Sequence, residues 1–114
     1  MDANTTIETL KRQVADFRDS RDWISYDTPR SLAISISIES AELLEHFQWK
    51  NDEQIREVLL DQVRRDLIAD ELADVMIYCL GFSAVLDIDV SDVVARKLNK
   101  NGEKYPAARL PQRH

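Results

Sequence analysis

The sequence contains two pairs of acidic residues with the same spacing, Glu39 with Glu42 and Glu71 with Asp74. Both pairs lie in strongly apolar stretches, where an unpaired charge is costly to bury. Residues at positions i and i+3 lie on one face of a helix, so two such helices packed side by side would direct four carboxylates at one point. Carboxylate oxygens suit a hard divalent cation, most naturally magnesium. The spacing therefore predicts a Mg²⁺ site held by two helices.

Helical periodicity indicates that the second acid pair faces the core. At about 100° per residue, a single narrow stripe collects acids and large apolar residues together: Leu60, Leu67, Glu71, Asp74, Tyr78 and Phe82. A solvated face would not alternate acids with such residues. The first pair is less decisive, because Glu39 and Glu42 share their stripe with two serines and His46, which fits a water-facing side equally well.

Length and charge restrict the class of protein. The 114 residues suffice for one domain, to which we assign the whole chain, with residues 107–114 as a loose tail. The formal net charge of −6 argues against binding a nucleic acid polymer. No apolar run approaches the roughly 20 residues of a membrane span, and the first residues lack the pattern of a signal peptide. We therefore expect a cytoplasmic protein that does not bind membranes.

Few helix-breaking residues interrupt the chain, which has two glycines and three prolines. This composition predicts an all-α fold of four helices. Residues 33–38 alternate in a way that by itself suggests a strand, but a helix start signal at Thr28-Pro29 precedes them and helical periodicity follows. The expected helices span about residues 6–19, 29–49, 52–86 and 90–101, the last ended by Gly102.

The third predicted helix is unusually long for a chain of this size. It would contain about 35 residues and extend about 50 Å. A compact monomer of about 100 residues has a radius of gyration of only about 13 Å. We therefore expect a four-helix bundle with one long third helix, completed by oligomerisation into a dimer or tetramer.

Four blocks of sequence resemble a known family in the same order along the chain: 17–30, 39–49, 71–78 and 97–106. They include Arg-Asp-Trp and Thr-Pro-Arg, both acid pairs, and a final Lys-Tyr-Pro. Together they resemble the MazG-like, all-α nucleotide pyrophosphohydrolases, and within these the dCTP pyrophosphatase branch. The resemblance covers almost the whole chain. It implies magnesium-dependent hydrolysis of a nucleoside triphosphate to the monophosphate and pyrophosphate.

The resemblance also implies roles for individual residues. The family's metal ligands fall on Glu39, Glu42, Glu71 and Asp74. Its base pocket falls on Trp23, Trp49 and Tyr78. Its phosphate contacts fall on Lys97, Asn101, Lys104 and Tyr105. Glu39 and Glu42, together with Glu45, are the candidate catalytic residues.

The residues alone leave plainer interpretations open. Trp23 and Trp49 could simply fill the core, and the lysines near the end of the chain could be a cationic helix terminus. Glu45 could orient the attacking water or pair with a lysine. The whole chain could be a related enzyme acting on dUTP or damaged nucleotides, or a non-enzymatic helical interaction module. The last alternative predicts neither magnesium dependence nor nucleotide binding.

Overall fold

The computed structural model describes residues 1–107, and every regular element in that range is helical. The predicted all-α fold class is confirmed. Apart from Ala107, the tail predicted to be loose lies outside the described residues. No helix in this range has the length and apolar character needed to cross a bilayer. The elements in chain order are α1 (Ile7–Asp19), a short 3₁₀ helix (Ile24–Tyr26), α2 (Pro29–Glu45), α3 (Asp52–Leu60), α4 (Gln62–Val85) and α5 (Val90–Lys104).

Side-chain caps begin the first three α-helices close to where the sequence predicts them. The Thr6 hydroxyl accepts a hydrogen bond from the Thr9 backbone N–H at 3.1 Å. Thr28 and Ser31 exchange reciprocal side-chain and backbone hydrogen bonds ahead of the first turn of α2. Asn51 forms the same kind of capping box for α3. These caps satisfy backbone donors that a helix start leaves unpaired.

The prediction of one long third helix is wrong, because the helix is divided into α3 and α4 at Asp61. This residue has an extended backbone (φ −85°, ψ 113°), which no α-helix can continue through. Its carboxylate accepts a hydrogen bond from the Val63 N–H at 3.1 Å and so caps α4. Leu60, which was expected on the acid-bearing stripe, instead ends α3 and is 86% exposed.

Two other helix ends also differ from the prediction. Helix α2 ends at Glu45, and the chain turns through residues 46–49 instead of remaining helical to Trp49. Helix α5 continues through Gly102 to Lys104, and Gly102 does not adopt a positive φ. A glycine inside a helix costs only about 1 kcal/mol relative to alanine, so it need not terminate one.

Helix α4 is the centre of the fold, and α1, α2 and α3 pack against it. The buried apolar core includes Leu32 from α2, Val58 from α3 and Leu80 from α4. A Cβ atom at Gly81 would lie 3.9 Å from Leu32 Cδ2 and 4.0 Å from Val14 Cγ1, so α1, α2 and α4 meet at this glycine. Because Leu32 lies beside Gly81 and Glu39 beside Glu71, helices α2 and α4 run antiparallel.

A large apolar surface remains exposed on the described chain. It includes Phe17 on α1, Ile38 on α2, Met76 on α4, and Val94 and Leu98 on α5. The radius of gyration is 17.1 Å, larger than the roughly 13 Å of a compact domain of about 100 residues. Exposed apolar patches on this scale commonly mark association surfaces. Oligomerisation stays a prediction that this surface supports.

Candidate active site

Three carboxylates converge between α2 and α4. One oxygen from each of Glu39, Glu42 and Glu71 lies within 4.8 Å of the other two, and all three side chains are half-buried. The i, i+3 spacing places the first two acids on one face of α2. The antiparallel packing of α4 brings the third opposite them. We call these residues the three-acid cluster.

Two oxygens of the three-acid cluster are buried without a protein partner. Glu39 Oε2 and Glu71 Oε2 have no hydrogen-bond donor among residues 1–107. Buried carboxylate oxygens are almost always hydrogen-bonded, because losing water without replacement is costly. An all-oxygen set with two unpartnered buried atoms matches the ligand chemistry of magnesium. The donor set therefore fits the predicted cation.

The same arrangement shifts the protonation of the cluster. Burial, followed by the neighbouring Glu42 carboxyl and the charges of Asp74 and Glu71, raises the pKa of Glu39 to about 7. The pKa of Glu71 is also raised, first by burial and then by Glu42 and Asp74. Lost hydration and like-charge repulsion both favour the protonated acid. A divalent cation would counter both effects.

The other two acidic candidates lie outside the close group of three. Asp74 lies three residues after Glu71 on α4 and is exposed, and its charge contributes to the raised pKa values of Glu39 and Glu71. It is not part of the close group of three. Its role as a metal ligand stays a prediction. Glu45 is the exposed last residue of α2 and also lies outside the group.

Basic residues converge on a cavity beyond the end of α2. His46, Lys50 and Arg64, with Val58, line this cavity of about 230 Å³. An electrostatic contribution from His46 opposes the rise in the pKa of Glu71, so His46 lies near the three-acid cluster. We call His46, Lys50 and Arg64 the basic group. The sequence analysis noted only His46, on the stripe of Glu39 and Glu42, because Arg64 joins it only through the packing of α4.

The predicted base-pocket aromatics divide between two places. Trp49 is 85% exposed and lines a cavity of about 390 Å³ with Lys50 and Arg64, so it does not fill the core. Trp23 and Tyr78 both lie near a different residue, Arg18, whose guanidinium carbon is 5.4 Å from each ring centroid. The structure thus brings Trp23 and Tyr78 to one place and Trp49 to a separate cavity.

The predicted phosphate contacts all lie on α5 or directly after it. Lys97 lines a cavity of about 630 Å³ with neighbouring α5 residues, and the Lys104 ammonium is 5.4 Å from the Tyr105 ring centroid. The Asn101 carbonyl accepts a hydrogen bond from the Tyr105 N–H at 2.8 Å. Within residues 1–107, neither lysine forms an ion pair with the three-acid cluster. Their roles toward phosphate stay predictions.

Comparison with known proteins decides the family. Residues 34–110, which include both acid pairs and the basic group, match the model of the MazG-like family. The chain belongs to the MazG-like family. This confirms the resemblance noted in the sequence, although it leaves the role of each site residue untested.

Relatives of this MazG-like chain are known by name. It is 34% identical over 101 residues to dCTP pyrophosphatase 1 of Mus musculus, an alignment covering 89% of this chain and 59% of that protein. With dCTP pyrophosphatase 1 of Homo sapiens the identity is 34% over 102 residues, or 90% and 60% of the two proteins. The chain thus spans about three fifths of the length of these relatives.

A solved structure supports the fold of the MazG-like chain at higher identity. The crystal structure of a pyrophosphatase from Archaeoglobus fulgidus DSM 4304 matches it with a TM-score of 0.79 and 47% sequence identity. The match covers 87% of this chain and 91% of the archaeal chain. The helical arrangement that brings the acids together is therefore shared with a protein described as a pyrophosphatase.

Proposed function

We propose that this MazG-like protein hydrolyses a nucleoside triphosphate, with dCTP as the first candidate, to the monophosphate and pyrophosphate in a magnesium-dependent reaction. The observation that carries the proposal is the three-acid cluster, in which two buried carboxylate oxygens have no partner in the described part of the chain. The names of the relatives support the reaction type and the choice of dCTP. A cytoplasmic location, where nucleotide pools are found, is part of the proposal.

The acidic and basic residues of the site would have different roles. Glu39, Glu42 and Glu71, with Asp74 at the edge, would hold the magnesium ion. When bound there, the ion would supply the positive charge that neutralises the phosphates and favours attack by water. The basic group, of which His46 acts electrostatically on Glu71, would bind phosphate oxygens. Glu45 is the candidate for orienting the water from the edge of the cluster.

The aromatic residues would bind the base. Aromatic stacking contributes about 1–3 kcal/mol per base and tolerates different bases. Trp49 is exposed next to the basic group. Trp23 and Tyr78 both lie near Arg18, and Tyr78 is on the helix that carries Glu71. A panel of triphosphates, including dUTP and damaged nucleotides, would identify the preferred base. Inactivity toward the whole panel would favour the interaction-module alternative.

Isotope labelling tests the reaction itself. If water attacks the α-phosphorus, reaction in oxygen-18 water should place the label in the nucleoside monophosphate and none in the pyrophosphate. Mass spectrometry of the two products measures this directly. Labelled orthophosphate together with a nucleoside diphosphate would contradict the proposal, because it would mean attack at the γ-phosphorus.

Self-association is a further part of the proposal, and α5 provides a test. Val94 and Leu98 lie four residues apart on one face of α5, and both are exposed. We expect sedimentation velocity to detect a dimer or tetramer, and Leu98→Glu to shift it toward monomer. Asn99→Glu adds the same charge at the neighbouring position and should not. A monomeric wild-type protein at micromolar concentration would refute self-association.

A further inference from the structure

An ion pair is buried where α1, the loop that follows it and α4 meet. Arg18 Nε and Nη2 each donate a hydrogen bond of 2.5 Å to a different carboxylate oxygen of Asp27. The two side chains are only 13% and 4% exposed. Neither residue belongs to the three-acid cluster or to the basic group. The reaction proposed above assigns this pair no role.

Stability alone does not explain why these two charges are buried. Removing two charges from water costs about as much as their mutual attraction returns, and apolar replacement of such pairs is often neutral or stabilising. What a bidentate pair does supply is orientation, because the planar guanidinium and the carboxylate fix each other through two parallel hydrogen bonds. Lysine cannot reproduce this geometry.

The oriented guanidinium lies near two aromatic rings. Its central carbon is 5.4 Å from the centroid of Trp23 and 5.4 Å from that of Tyr78, within the range of cation–π attraction. The hydrogen bond with Asp27 is the main cause that raises the pKa of Arg18 further, so the group remains cationic. Arg18 thus links the ring of a loop residue to a ring on α4.

The Arg18–Asp27 pair connects the two ends of the loop that carries Trp23. Arg18 lies in the last turn of α1, and Asp27 immediately precedes Thr28, the N-cap of α2. The loop that carries Trp23 is therefore tied at both ends by one ion pair. At its start, Asp22 reverses the chain with a φ of 58°, and the Trp23 N–H donates to the Arg18 carbonyl at 3.0 Å.

We infer that Arg18 and Asp27 are positioning residues: the guanidinium lies near both the Trp23 ring and the ring of Tyr78, four residues beyond Asp74, and so fixes an aromatic wall against which the nucleotide base stacks. The inference rests on the proposed function. A displaced wall would weaken binding of the base and leave the acids that act at phosphorus in place. The expected signature is therefore a change in KM with little change in kcat.

Two variants test the inference. Arg18→Lys keeps the charge and loses the planar fork, and we expect it to raise KM about tenfold, within the range of one lost stacking contact. Arg18→Met combined with Asp27→Leu removes both charges and keeps the volume, so it should remain folded with a wild-type Tm. We expect the same rise in KM from this double variant. Arg12→Lys, an exposed position on α1, is the matched control.

Tryptophan fluorescence gives a readout that does not need substrate. In a Trp49→Phe background Trp23 is the remaining tryptophan. We expect both Arg18 variants to shift its emission and to increase quenching by acrylamide, and Arg12→Lys to leave both unchanged. The magnesium-induced rise in Tm should persist in every variant, because the acids are untouched.

Three possible outcomes of these experiments would lead to different conclusions. A folded double variant with wild-type KM and unchanged Trp23 emission would overturn the positioning role. If KM rises only in variants whose Tm also falls, the positioning role would also be refuted, because the ion pair would then act only through stability. A wild-type protein that neither binds nor hydrolyses any triphosphate would instead refute the proposed function, and the aromatic wall with it.

Discussion

Glu71→Gln should lower turnover by about a hundredfold or more while leaving the helices intact, since even residues that only support a metal ligand are worth about 10–100-fold. The amide keeps the shape of the side chain and loses the charge that binds the cation. Glu71 Oε2 is one of the two buried oxygens of the cluster that have no partner among residues 1–107, so its replacement should remove a ligand of the proposed site. Steady-state kinetics and circular dichroism would measure the two effects.

The same variant should separate metal binding from folding. Without magnesium, removing one of several repelling carboxylates should raise the Tm of Glu71→Gln above that of the wild type. With magnesium, the additional stabilisation expected for the wild type should be lost. Glu53→Gln, an exposed acid in the first turn of α3, is the control for the loss of one charge. Near-normal turnover by Glu71→Gln would exclude the three-acid cluster as the metal site.

Asp74→Asn extends this test to the edge of the cluster. If Asp74 completes the ligand set, its loss should abolish turnover as fully as that of Glu71. Retained activity would restrict the ligands to the three acids that the structure brings together.

The stability of the metal-free protein should fall as the pH rises from about 4.5 to about 7. The pKa of Glu39 rises from its ordinary value of 4.5 to about 7 on folding, so the folded state holds this proton more tightly than the unfolded state. Its contribution is therefore complete below pH 4.5 and is lost as the pH passes through 7. The raised pKa of Glu71 acts in the same direction.

Magnesium should reverse this pH dependence. Metal binding requires deprotonated carboxylates, so the gain in Tm with magnesium should be small at acidic pH and grow as the pH rises through about 7. Melting curves with magnesium and with a chelator across this range would measure the difference. Glu39→Gln isolates the group, since other acids titrate as well, and should flatten the curve. A Tm gain independent of pH would contradict the raised pKa of Glu39.

Local chemistry made the acids and the helix starts predictable. The i, i+3 spacing of Glu39 and Glu42 is a property of one helix, and the proline after Thr28 marks a helix start without any tertiary context. The break at Asp61 could not be predicted from the sequence, because aspartate does not restrict the backbone as proline does or relax it as glycine does. Its cap forms only when the backbone turns out of the helix.

The remaining features of the site depend on tertiary contacts, which the sequence pattern does not predict. The basic group combines two residues that follow α2 with one from the first turn of α4, and the Arg18–Asp27 pair joins α1 to the residue before the N-cap of α2. Neither arrangement repeats with a helical period. Sequence periodicity reports which face of a helix is apolar, and it does not report which polar side chains meet across a loop.

The antiparallel register of α2 and α4 limits how this chain can change length in evolution. Leu32 fixes one point of contact at Gly81, and Glu39 meets Glu71 further along the same pair of helices. One residue inserted between Leu32 and Glu39 would rotate the acid by about 100° and move it about 1.5 Å, out of the cluster. Insertions and deletions should therefore be excluded from this stretch of α2.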